Sequence, residues 1–175
     1  MFDLAVTLNI LSTLTLVGAL VFAGLQVRAA NRTRAEQAAL AIIGAVQSEA
    51  WTHSLRVLVR LPAGVTADEI DAMGAPVTDA IAEHGVRLET VGYMVFRGLV
   101  SLDTVDEMIG GITLVMWSRI KPWVERDRLR TTSPRQYEWF QWLCERLDER
   151  QGTREPEPAF VRHSRWKQSD ARPTA

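Results

Sequence analysis

Glu49, His53 and Arg56 stand about one helical turn apart in the stretch SEAWTHSLR. A carboxylate one turn from an imidazole can relay a proton or supply two ligands of a metal site. A zinc site needs further ligands, and none follows at a suitable spacing, so the trio reads as contacts on a helix surface. His84 falls beside an apolar stripe and reads as an edge histidine, while His163 lies near the C-terminus. Cys144 is the only cysteine. It excludes an intrachain disulfide, has no histidine nearby in sequence, and suits a small core position. Asp68, Glu69 and Asp71 lack the length and glycine of a calcium loop. They read as acidic residues opening a helix, where the dipole favours them. The sequence contains no GxxxxGK[ST], HExxH, GxSxG or paired CxxC pattern. We therefore assign no catalytic residue, no metal ligand and no cofactor from the sequence.

The aromatic residues are the more unusual chemistry. Trp117, Trp123, Trp139 and Trp142 lie within 26 residues, beside Tyr137 and Phe140 and interleaved with Arg119, Arg126 and Arg128. Guanidinium groups alternating with large rings are the composition of a binding face. Trp139, Arg126 and Arg128 are the candidate interaction face. Trp117, Phe140 and Trp142 read as core packing between the last two helices. Glu89, Arg97, Arg126 and Glu138 are expected to form ion pairs between helices, structural in role.

The elements that must hold these residues begin with a membrane segment. From Leu4 to Val27 there are 24 residues without a charge. As a helix they would reach about 36 Å, against a hydrocarbon core of about 30 Å. A cleaved signal peptide would open with basic residues, and this chain opens Met-Phe-Asp. A buried soluble helix is rarely apolar all round for such a length. All 20 Lys and Arg lie at or after position 28. Basic residues stay on the cytoplasmic side, which predicts an N-out, single-pass helix over residues 1–28. Arg28, Arg32 and Arg34 are the expected anchors at the headgroups of the inner (plasma) membrane. The helix-forming residues of RAANRTRAEQAALAIIGAVQ, with a stripe at Ala39, Ile42, Ile43 and Val46, predict that the helix continues past them into the soluble part.

Residues 29–150 read as a cytoplasmic helical domain, making the fold class all-α. Ser48 caps a helix stopped by Pro62, and Thr66 with Glu69 forms a capping box. Val77, Ile81, Leu88, Val91, Val95 and Leu99 line one face of a long helix ending near Gly98. Ser101 or Asp103 opens a short helix that Gly110-Gly111 should close. Pro122 should kink or break the next helix. Ser133-Pro134-Arg135-Gln136 reads as the start of the last one, with Tyr137, Phe140, Cys144 and Leu147 on a stripe. Residues 151–175 read as a flexible tail, in which AFVRHSRWK could touch an anionic membrane, although its composition favours a solvated segment. Beyond Arg28 the chain carries 19 basic and 20 acidic residues. That balance lacks the footprint of a nucleic-acid binder.

Several stretches resemble a bacterial family catalogued only as a domain of unknown function. They are RAEQAALAIIGAVQSEAWTHSLRVLVRLP, RLETVGYMVFRGLVSLDTVDEMIGG, MWSRIKPWVERDR and YEWFQWL, across roughly residues 10–147. The resembling features are Glu89 before an aromatic and aliphatic helix, the turn from Gly98 to Val100, Trp117 before Lys121-Pro122, and Glu138 with Phe140. Tyr93 stands four residues after Glu89, one more than the resemblance leads us to expect. The resemblance implies one N-terminal membrane helix and a small cytosolic helical domain, and it brings no catalytic residue. The expected role is a membrane-tethered interaction or regulatory module, with the bilayer and another membrane or cytoplasmic protein as partners. An enzyme with an unrecognised site and a membrane-acting self-defence effector are the alternatives.

Overall fold

A computed structural model describes residues 12–30, 37, 44, 48–152 and 158–167. The described residues are helical with short connections and contain no strand. Helix α1, Ser12–Ala30, is apolar and exposed along its length. Its 19 residues would span about 28 Å, so it is long and apolar enough to cross a bilayer. It runs through Arg28 unbroken, as its composition predicts. The anchors Arg32 and Arg34, and most of the expected continuation through Ile42, Ile43 and Val46, lie outside the described residues.

The bundle begins where Ser48, in extended conformation, accepts the Trp51 N–H and opens α2 (Glu49–Val59). Thr66 and Glu69 then form the capping box of α3 (Ala67–Met73). Gly74, at φ 75°, turns the chain directly into α4 (Ala75–Phe96). The end of α4 is a Schellman turn around Gly98, at φ 66°, with the Leu99 N–H donating to the Met94 carbonyl at 2.9 Å.

Two predicted boundaries are corrected. Ser101 caps α5 (Leu102–Val105), but Gly110-Gly111 do not end the helical run. A single π-helical turn, Asp106–Gly110, leads straight into α6 (Gly111–Thr131). The Asp106 carboxylate occupies the space where a Cβ on Gly110 would lie. Of the kink or break expected at Pro122, no break occurs, and α6 continues to Thr131. Nor does Ser133 start the last helix. Residues 134–137 form turns, Tyr137 adopts φ 56°, and α7 (Glu138–Gly152) begins after it. Within the C-terminal segment, Ala159–Arg162 form a short helix, α8.

Helix α4 packs against α2, α3 and α7, and α6 packs against α2, α3 and α7 from another side. The core between them holds Leu58, Ile70, Ile81, Leu88, Ile120, Val124, Phe140, Leu143 and Leu147. Trp117 lies against Phe140 with ring centroids 4.9 Å apart, as expected of core rings. Val95 packs at the core's edge, and the Schellman turn carries Leu99 off the stripe, where it is exposed.

Candidate interaction site on helices α4 and α7

One face of α4 is built to hold the start of α7. Gly85, Glu89 and Gly92 recur at four and three residues, so they share that face. A Cβ on Gly85 would overlap the Tyr137 ring, and one on Gly92 would overlap the Trp139 carbonyl. The two glycines therefore let the chain at 137–139 lie directly on the helix. Between them, the Glu89 carboxylate accepts the Phe140 N–H at 2.8 Å. This N–H belongs to the first turn of α7 and has no partner within its own helix. A carboxylate at that end also opposes the helix dipole.

The other side of the junction is held from α6. Arg128 donates to the carbonyls of Gln136 (2.8 Å) and Tyr137 (3.3 Å) and to the Gln141 amide oxygen (2.7 Å). Asp127 is buried and accepts from Gln136 at 3.0 Å and from Arg130. Burial holds the Tyr137 phenol above its ordinary pKa.

Held this way, Trp139 and Trp142 meet Tyr93 and Phe96 of α4. The Phe96–Trp139 centroids are 4.5 Å apart, and Tyr93–Trp139 and Phe96–Trp142 pack edge-to-face at 5.6 and 5.9 Å. Arg97 donates to the Tyr93 hydroxyl at 3.0 Å and lies over its ring. The cluster is incompletely covered. Phe96 is 54% exposed and Tyr93 42%, while Trp139 and Trp142 are half-buried. Trp142, expected in the core, sits at its edge.

The three predicted face residues engage different elements. Trp139 belongs to this aromatic cluster. Arg128 is turned into the α6–α7 junction, and Arg126 pairs with Asp68 and Asp71 on α3 and donates to the Ala67 carbonyl at 2.7 Å. The expected ion pairs are also rearranged. Glu138 pairs locally with Arg135, which holds its carboxyl below the usual range, and Glu89 serves as a helix cap. Tyr93, Phe96 and Arg97 were not singled out from the sequence as a face. Their spacing on a helix was visible, but their meeting with Trp139 required the turn at Tyr137.

His84 is corrected from an edge residue to a core residue. It is fully buried, stacked on Trp51 at 4.0 Å, with Nδ1 2.9 Å from Ser54 Oγ. Ser54 has one hydroxyl proton, and the Ala50 and Trp51 carbonyls at 2.9 and 3.1 Å are its acceptors. His84 Nδ1 and Ser54 Oγ therefore share one hydrogen bond inside the core, its direction set by the imidazole tautomer. Both residues are buried where α2 packs on α4, so the pair is closed off from solvent. Burial lowers the His84 pKa to about 4, with Glu83 opposing the shift and Arg87 adding to it. Cys144 is likewise buried, which pushes its thiol pKa up and away from nucleophilic reactivity. Among the described residues, no group of His, Cys, Asp and Glu forms a metal-binding cluster.

Comparison with protein families matches the chain to the Domain of unknown function (DUF4760) over residues 13–147. No curated protein and no solved structure matches the chain. The matched span runs from Thr13 in α1 through the bundle to Leu147, and the chain belongs to this family.

Proposed function

We propose that this member of the family is a membrane-tethered interaction or regulatory module. Helix α1 anchors it in the inner membrane of a bacterium with the N-terminus outside. The bundle lies in the cytoplasm and binds a membrane or cytoplasmic protein through Tyr93, Phe96, Trp139 and Trp142. The observation that carries this reading is the incomplete cover of that cluster. Trp51, Trp117, Trp123 and Phe140 are buried, whereas these four rings pack on one another and still present surface. Large rings held rigid by neighbours bind at low entropic cost, which is why interfaces are anchored on them. Anchoring in the membrane would raise the effective concentration of such a face toward another membrane protein. The orientation rests on the arginines that begin at Arg28.

Tagged full-length protein, crosslinked in cells and extracted in mild detergent, tests the reading. A discrete protein that co-purifies with the wild type and is lost with a folded Trp139→Ala variant supports it. Recovery of the wild type with nothing but itself overturns it. Labelling of Ser164→Cys in intact cells by a reagent that cannot cross the inner membrane would overturn the orientation.

A further inference from the structure

The basic charge of this chain is unevenly placed. Residues 48–152 carry 12 Lys and Arg against 16 Asp and Glu, so the bundle is acidic. Residues 158–167, PAFVRHSRWK, carry Arg162, Arg165 and Lys167 and no acid. This segment has defined backbone structure. The Arg162 N–H donates to the Pro158 carbonyl at 3.0 Å, that of His163 to Ala159 at 2.9 Å, and that of Trp166 to His163 at 2.9 Å. Every one of its residues is exposed, with Phe160 at 79% and Trp166 at 56%. Two aromatic rings left in water among three cations, on a compact turn, have the composition of a membrane-surface anchor.

We infer that residues 159–167 dock on a bilayer surface bearing anionic headgroups. Phe160 and Trp166 enter the interfacial layer while Arg162, Arg165 and Lys167 meet the phosphates. Charge selects this occupant. The acidic bundle is repelled by an anionic surface, so the contact falls to the basic segment, and apolar insertion plus cations supply the two signals that stable attachment needs. The segment would then be a second point of attachment, fixing how the aromatic face of α4 and α7 is presented. The inference rests on the reading of α1 as a span only for the nearness of the bilayer.

Full-length protein in lipid discs tests it, with a polarity-sensitive fluorophore on Ser164→Cys. The buried Cys144 is not expected to label in the folded protein. In phosphatidylcholine discs containing phosphatidylglycerol, the label should shift to the blue and be quenched by brominated lipid. In pure phosphatidylcholine it should stay in water. The triple variant Arg162→Glu, Arg165→Glu, Lys167→Glu should lower the docked-to-undocked ratio on the order of a hundredfold or more, at roughly fivefold for each cation lost. Unchanged circular dichroism would show an intact bundle. A water-exposed label in both lipids overturns the inference, as does a label equally shielded in both, which would place the segment on its own acidic bundle. A chain that fails to enter discs at all would instead overturn the span reading, and the same label with vesicles of the two compositions would still decide the docking.

Discussion

The Glu89 carboxylate of α4 accepts the Phe140 N–H of α7 at 2.8 Å, across 51 positions of sequence. It is the N-terminal cap that α7 cannot supply for itself. Tyr137, the residue before the helix, adopts φ 56° and brings no short polar side chain. Removing the carboxylate orphans an N–H in the first helical turn. Glu89→Ala should cost about 1–3 kcal/mol of stability. Glu89→Gln keeps an acceptor and loses only the charge, so it should cost less than half as much. Denaturant unfolding of the detergent-solubilised protein measures both. Equal losses would mean that the charge, and not the hydrogen bond, carries the effect.

The two glycines flanking Glu89 set how closely α7 approaches. Gly92→Ala would drive a methyl group into the Trp139 carbonyl, which is backbone and cannot turn away. The expected loss is about 2–4 kcal/mol, the range of a strongly overpacked site. Gly98→Ala meets open space and strains only a backbone at φ 66°. It should cost about 1 kcal/mol. The order of the two midpoints checks this account, and a reversed order would show that α7 can slide on α4.

His84 gives the bundle an acid limit. Its folded-state pKa, lowered to about 4 by burial, lies below the ordinary 6.5. Above pH 6.5 the imidazole is neutral in both states and its packing is fully favourable. As the pH falls from 6.5 toward 4, the unfolded chain takes up a proton that the folded chain refuses, so stability declines. Each pH unit inside that window costs up to about 1.4 kcal/mol, roughly 3 kcal/mol in all. A folded His84→Asn variant, compared with wild type across pH 4–7, should lose that part of the slope. Parallel curves for the two proteins would mean that His84 titrates normally.

Much of this architecture is written in short-range sequence signals. The Thr66–Glu69 capping box, the Ser48 cap and the Gly98 turn are local, and each reads correctly because its partners lie within a few residues. The errors fall where a distant residue intervenes. Ser133-Pro134-Arg135-Gln136 looks like a helix start, but Arg128 and Glu89 hold the true start four residues later. Gly110 looks like a stop, but its missing side chain makes room for Asp106. His84 looks peripheral on a helical wheel, which cannot show Trp51 of α2 stacked upon it. Trp139 was legible as a half-covered ring, whereas its companions Tyr93 and Phe96 were hidden by an interval of some forty positions.

The most direct test of the interaction module is a photoreactive benzoylphenylalanine placed at Phe96 in the full-length protein and activated in cells. Leu129, 83% exposed on α6 and outside the aromatic cluster, is the control position. The account predicts one discrete protein adduct from Phe96, reproduced when that partner is tagged instead, abolished by Trp142→Ala and absent from Leu129. The same adducts from both positions, or none from Phe96 in a folded and membrane-inserted protein, would contradict it.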